Sequence, residues 1–223
     1  MQGVFITFEG TEGSGKSTQI RLLVERLRSI HRSVRLVREP GGTPIGEEIR
    51  HTLQHSAQNQ LMTPEAELLL INASRAQLVR EVIRPALDQG EIVLCDRFYD
   101  STTAYQGYGR GLDPTVVRTV IDFAVGTTRP DLTLLLFVPV HVSEARRAGR
   151  QDTASAQRDR MEEADRNFFI RVEQGYQALA KAEPQRVKLI DATQEISVVS
   201  ATVWATVEEL LARLVPGSKD DCQ

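Results

Sequence analysis

The chain has few cysteines, lysines and aromatic residues, and no long apolar run. Its two cysteines, Cys95 and Cys222, show neither metal-ligand spacing nor a framework of pairs, which excludes a zinc finger and a disulfide scaffold. Cys95 closes an apolar run and reads as a small buried hydrophobe, whereas Cys222 sits in a polar tail. No stretch approaches the roughly 18 apolar residues of a membrane-spanning helix. The first residues run straight into a strand-like segment, without the charged-then-apolar pattern of a secretory leader. The expectation is a cytoplasmic protein with no membrane partner. A net charge of −3 lacks the basic excess of a nucleic-acid binder, so no nucleic acid is expected as a partner. Lysine is the scarcest charge: of 27 basic residues only four are lysines (Lys16, Lys181, Lys188 and Lys219) and 23 are arginines. The planar fork of arginine suits phosphate, but a GC-rich genome produces the same bias, so position matters more than number.

What is present is ordinary globular material. The chain has 223 residues, 41% hydrophobic and 26% charged, enough for a sizeable core. Strand-like and helix-like segments alternate. Residues 4–8 are apolar and β-prone, and residues 16–30 carry Ile20, Leu23, Val24, Leu27 and Ile30 at helical spacing. Further strands are expected at residues 34–37, 92–95, 132–138 and 187–190. Helices are expected at residues 44–53, from Thr63-Pro64 to about residue 87, at 114–124 and at 198–214. Thr63 as N-cap and Pro64 at the first helical position mark one start clearly. This order predicts an α/β fold with a five-stranded parallel sheet flanked by helices. Residues 1–215 are expected to form a single domain. The polar stretch around residues 146–162, between the fourth and fifth strands, reads as a mobile lid, and residues 216–223 as a disordered tail.

Gly10-Thr11-Glu12-Gly13-Ser14-Gly15-Lys16-Ser17 matches G-x-x-x-x-G-K-[ST]. It falls between an apolar strand and a helix, as phosphate binding requires. Glycines let the backbone curl so that successive N–H groups face one concavity, and the following helix, through Thr18, adds its positive end. Lys16 can reach the β- and γ-phosphates, and the Ser17 hydroxyl can ligate Mg²⁺. The motif indicates ATP and Mg²⁺ but not the reaction. No lysine is followed two residues on by aspartate, so the guanine-reading sequence of GTPases is missing.

Three further clusters lie where open α/β sheets bind ligands, or beside such places. Arg38-Glu39-Pro40-Gly41-Gly42-Thr43 ends the second strand, and Arg38 is expected to project into the P-loop crevice. Asp96-Arg97 ends the third strand. Asp96 is a candidate Mg²⁺ partner through water, and Arg97 a candidate for neutralising two phosphate groups. Ser101-Thr102-Thr103-Ala104-Tyr105-Gln106 follows with hydroxyl, amide and aromatic groups suited to a base and a sugar. Arg146, Arg147, Arg150, Arg158 and Arg160 crowd the lid. Such arginines can stabilise the charge that spreads over a transferring phosphoryl group.

The chain resembles the thymidylate kinase family over about residues 4–214. The resemblance rests on Phe8-Glu9-Gly10 through Ser17, on Arg38 through Thr43, on Asp96-Arg97-Phe98 with Ala104-Tyr105-Gln106-Gly107, and on Arg129-Pro130-Asp131 with the apolar strand after it. It implies a P-loop nucleoside monophosphate kinase fold and transfer of the ATP γ-phosphoryl group to dTMP, giving dTDP for dTTP biosynthesis. It places Glu12 near the sugar 3′-hydroxyl, and Arg38 (beside Pro40) and Arg97 on the dTMP phosphate. It places Arg75 near the base and Thr102, Tyr105 and Gln106 around base and sugar. With no arginine in the P-loop, it assigns the catalytic arginine to the lid, as Arg150 or Arg160, and it implies a homodimer. Two positions depart from the family pattern: Ile71 stands where an aromatic ring often stacks on thymine, and Phe98 replaces Tyr or His. Two alternatives stay open at this point: an ATP-dependent switch module, and a kinase for dUMP or a modified pyrimidine.

Overall fold

In the computed structural model, residues 3–56, 58–151 and 165–214 are described. Five strands, β1 (Val4–Glu9), β2 (Val34–Arg38), β3 (Ile92–Asp96), β4 (Leu132–Phe137) and β5 (Val187–Asp191), form a parallel sheet in the order β2-β3-β1-β4-β5. Parallel pairing sends every strand's carboxyl end to the same edge. Asp96 of β3 is level with Phe8 of β1 and with Arg38 of β2, so the three polar clusters predicted at strand ends emerge side by side.

Both faces of the sheet are covered, which is why β1 and β4 read as nearly continuous apolar runs. Val4, Ile6 and Phe8 face one side, against α1 (Lys16–Ser29) and α9 (Ile196–Leu214). Phe5, Val93 and Cys95 face the other, against α3 (Pro64–Leu78) and α6 (Pro114–Val125). A third cluster joins Leu135 and Val187 to Phe168, Val172 and Tyr176 of α8 (Arg166–Ala182). One polar seam crosses the interior, where Thr7 and Thr133 hydroxyls meet at 2.8 Å and Thr133 and Arg186 bond the Asp100 carboxylate.

Helix starts follow local chemistry. Thr43 caps α2 (Pro44–His55) by accepting from the Gly46 N–H, and Thr63 caps α3 by accepting from Ala66; Pro occupies the first position of both. Asp113 and Asp165 cap α6 and α8. Helix α1 differs: Gly15 stands at its N-cap with φ 90°, and no side chain caps it. Its first N–H groups are therefore left to whatever the P-loop holds.

The expected helix from Thr63 to about residue 87 is interrupted. It runs as α3, widens into a π-helical turn at Val79–Ile83 and resumes as α4 (Arg84–Asp88), accommodating Pro85. After β3 come α5 (Tyr99–Thr102) and a second π-helical segment, Thr103–Gly109. Helix α7 (Val140–Gln151) and α8 were not anticipated. Residues 146–151 of the expected lid belong to α7, and residues 152–164, with Arg158 and Arg160, lie outside the described residues. So do residues 215–223. No helix among the described residues is long and apolar enough to cross a membrane.

Candidate active site

The phosphate loop joins β1 to α1. Gly10 has φ 135°, and a Cβ there would lie 2.3 Å from the Leu136 carbonyl oxygen, so only glycine allows the loop to curl back over β4. Lys16 is buried, and its Nζ donates to the carbonyls of Gly10 (3.1 Å) and Thr11 (3.2 Å). Burial, followed by the neighbouring Arg97, pulls the Lys16 ammonium down to about 8. The hydroxyls of Thr11 and Ser14 are buried without a partner. Helix α7 braces the loop from behind: the Ser143 hydroxyl donates to the Glu12 carbonyl (2.6 Å), and Arg146 donates to the carbonyls of Gly13 and Ala192. Arg146, predicted as a lid arginine, thus ties the P-loop to the turn after β5.

A cavity of about 290 Å³ opens beside the loop. It brings Glu12, Lys16 and Ser17 together with Arg38 and Pro40 from the end of β2, and with Ile71 and Arg75 from α3. Asp96, Arg97, Thr102, Tyr105 and Gln106 complete it from the third-strand end. These are the predicted site residues, drawn from four separate segments. Gly10, Thr11, Gly13, Ser14, Gly15 and Thr18 form the loop behind them. Arg150 lies within α7, but its side chain and all of Arg160 are outside the described set.

Arg97 is the hinge between loop and cavity. Its backbone is left-handed, with φ 68°, a conformation that costs a side-chain-bearing residue on the order of 1 kcal/mol or more. The turn aims its guanidinium back at the loop, where it pairs with Glu12 and donates to the Gly10 carbonyl (3.0 Å) and the Ser101 hydroxyl (3.2 Å). Under it lies Glu9, fully buried, which accepts from the Phe98 N–H (2.7 Å), the Ser101 hydroxyl (2.5 Å) and the Tyr176 hydroxyl (2.9 Å). Burial and the charge of Asp100 lift the Glu9 carboxyl to about 7.

The cavity wall is built from fixed ion pairs. Arg75 and Glu39 meet at 2.6 Å with side chains 1% and 2% exposed, and Asn72 takes a further Arg75 N–H at 2.8 Å. Arg38 is half exposed, held by Glu47 at 2.9 Å, so its guanidinium stays at the mouth. Four polar atoms in the wall are buried without a partner: Glu39 Oε1, Asp96 Oδ1, Thr102 Oγ1 and the Tyr105 hydroxyl. Burial pushes Tyr105 up to about 12, keeping it a neutral donor. Buried polar atoms of this kind are available to hydrogen-bond a polar ligand.

Several residues of this site escaped sequence reasoning. Glu9 ends β1 within the matched Phe8-Glu9-Gly10 segment but had no role assigned to it, and Tyr176 and Phe169 come from a helix interior that carries no motif. Glu47 and Arg50 stand on α2, where Arg50 donates to the Pro40 carbonyl at 2.9 Å. Glu67 is the one with a usable signal, a carboxylate one turn before Ile71 on the face of α3 that turns inward.

Comparison with known proteins agrees with this geometry. The family model described as thymidylate kinase matches residues 8–203. The thymidylate kinase of Syntrophotalea carbinolica is 49% identical, over 93% of this chain and 96% of its own. That of Deinococcus radiodurans is 48% identical, over 93% of this chain and 98% of its own. The crystal structure of thymidylate kinase from Ehrlichia chaffeensis superposes with a TM-score of 0.74 at 35% identity, covering 93% of this chain and 99% of that one. With a P-loop, a shared cavity at three strand ends and near full-length similarity, the chain belongs to the thymidylate kinase family.

Proposed function

We propose that the chain transfers the γ-phosphoryl group of ATP to dTMP, forming dTDP and ADP, with the P-loop holding ATP and the adjoining cavity holding dTMP. The observation that carries this reading is the continuity of the site: Lys16 and Ser17 line the same cavity as Arg38, Arg97 and the recess of Ile71, Arg75, Thr102, Tyr105 and Gln106. Membership of the family supplies the nucleotide substrates.

The acceptor is already an anionic phosphate oxygen, so transfer requires no strong general base. Positioning and charge stabilisation carry the reaction. The backbone N–H groups at the uncapped start of α1 hold the ATP phosphates, and Lys16 leaves its carbonyl partners for the β- and γ-phosphates. Arg97 and Arg38 receive the dTMP phosphate, with Glu12 orienting Arg97 and approaching the sugar. Ile71 packs on the base face, and Arg75 donates to the base. Tyr105 crowds the sugar 2′ position against a ribonucleotide. Arg150 or Arg160 supplies the lid arginine that stabilises the transferring group.

Mg²⁺ fits the donors present. Asp96 has a buried carboxylate oxygen with no partner, and Ser17 lines the same cavity. Among the described residues no three His, Cys, Asp or Glu side chains cluster around a metal position. That accords with an ion held by few protein oxygens and the substrate phosphates. Bound there, Mg²⁺ would neutralise charge on the β- and γ-phosphates.

A homodimer is part of the same reading. Helix α6 exposes Phe123 (83%) and Val116 (53%) seven residues apart, and neighbouring α3 exposes Leu69 (58%). Exposed apolar side chains on two packed helices support that reading.

The test is product analysis: dTMP, ATP and Mg²⁺ incubated with the protein and separated by anion-exchange chromatography. Equal amounts of dTDP and ADP are expected. ADP with inorganic phosphate and no dTDP would contradict the assignment.

A further inference from the structure

We propose that Glu67 is a positioning residue that fixes the Gln106 side-chain amide with its carbonyl oxygen toward the acceptor cavity, so that the cavity demands a ring N–H and rejects a cytosine-type base. The inference rests on the dTMP-kinase reading above and adds the means of base choice.

The geometry starts on α3, where Glu67, Ile71 and Arg75 recur at four-residue spacing and so share one face. Ile71 and Arg75 line the cavity. Glu67 sits one turn back, with its side chain 1% exposed. It accepts from Arg110 through both carboxylate oxygens, Nε at 3.1 Å and Nη2 at 3.0 Å. The same guanidinium is fixed over the Phe168 ring, 4.8 Å from its centroid. A guanidinium offers donors only, so both Glu67 oxygens act as acceptors in this two-point pair.

Glu67 Oε1, already accepting from Arg110 Nε, faces Gln106 as an acceptor. Gln106, 1% exposed, approaches Glu67 Oε1 to 2.9 Å, so the group it presents there is the NH₂. Turning the amide over would place two oxygens in contact. The ambiguity that usually attends a glutamine amide is therefore settled by its partner, and the carbonyl end is the one left for the cavity. The π-helical segment Thr103–Gly109 carries this side chain inward beside Tyr105.

The wall then offers an acceptor from Gln106 and donors from Arg75. Arg75 cannot accept, and its own orientation is locked by Glu39 and Asn72. A thymine or uracil edge matches this pair, with an imide N–H for the Gln106 oxygen and a carbonyl for Arg75. A cytosine edge opposes it twice: its ring nitrogen sets a lone pair against the Gln106 oxygen, and its amine meets the guanidinium. Sites whose buried polar groups are left unpaired by the wrong substrate discriminate strongly. Glu67 touches no substrate; it acts by removing one of two orientations of Gln106.

The experiment compares kcat/KM for dTMP and dCMP, at saturating ATP and Mg²⁺, in the unaltered chain and in Glu67→Gln. A neutral amide at 67 can accept or donate, so Gln106 is released to turn. The ratio of dTMP to dCMP efficiency is expected to fall about tenfold or more, with the KM for ATP within about twofold. Should Glu67→Gln fold poorly because Arg110 is stranded, the charge-neutral pair Glu67→Gln with Arg110→Gln makes the same test. An equal loss of efficiency on both substrates, leaving the ratio unchanged, would overturn the proposal and reduce Glu67 to a packing role. No turnover of dTMP by the unaltered chain would overturn the parent reading and this one with it.

Discussion

On the phosphate-loop side, Lys16 reaches carbonyls only six and five residues away. On the acceptor side, Arg75 meets Glu39 across 36 residues, and Gln106 and Arg110 meet Glu67 across 39 and 43. The first region is built of backbone, shaped by glycine and by the start of a helix, and holds its lysine on two of the loop's own carbonyls. The second binds with side chains whose orientation is locked by ion pairs away from water. Under the proposed function, the backbone cradle serves the phosphates of the donor and the locked side chains serve one edge of the acceptor base.

The comparison can be broken in several places. Lys16→Ala removes the only side-chain cation of the loop and is expected to lower kcat about a thousandfold while leaving dTMP binding, measured by calorimetry, within about threefold. A matching loss of dTMP affinity would mean that the two regions are not separable. Glu39→Ala strands the buried Arg75 guanidinium and is expected to cost about 3–5 kcal/mol in urea unfolding. Arg38→Ala breaks an exposed pair with Glu47 and an exposed bond to the Pro40 carbonyl, and is expected to cost about 1 kcal/mol or less while raising the KM for dTMP. Equal destabilisation by the two would contradict the contrast between locked wall and open mouth. Arg97→Ala, at the junction, is expected to lower kcat/KM for dTMP about a hundredfold, through both kcat and KM.

The smallest effect is a proton. With Lys16 pulled down to about 8 by burial, part of the free protein has a neutral lysine near pH 8, and the charge is complete well below that. ATP phosphates favour the charged form. Binding of ATP near pH 8 is therefore expected to take up a fraction of a proton, and binding near pH 6 none at this group. Calorimetry in two buffers of different ionisation enthalpy reads the difference. Identical proton balance at the two pH values would contradict the burial of Lys16 as the cause.

The same contrast explains what could be read from the amino-acid order. The P-loop is contiguous, so eight residues revealed it along with its strand and helix. The five strands were found because covered strands are apolar throughout and parallel pairing needs helices between them. Arg38, Asp96 and Arg97 were legible because they end strands, where a parallel sheet collects its ligands. Helix α7 was not legible, because its run from Glu144 through Arg146, Arg147 and Gly149 resembles a polar insert until Arg146 and Ser143 are seen bonding the loop. The π-helical turns hide within helix-like periodicity. Glu9 and Tyr176 were missed because each acts through partners distant in sequence, whereas Glu67 left a trace in its helical spacing from Ile71 but not in any pattern that names its partners.

The most direct test of the account is ADP release with ATP and Mg²⁺ against a panel of nucleoside monophosphates. The account expects dTMP to give the fastest turnover, with dCMP and the purine monophosphates slower by orders of magnitude. Failure of every monophosphate while ATP still binds would contradict it, leaving a phosphate cradle without an acceptor site.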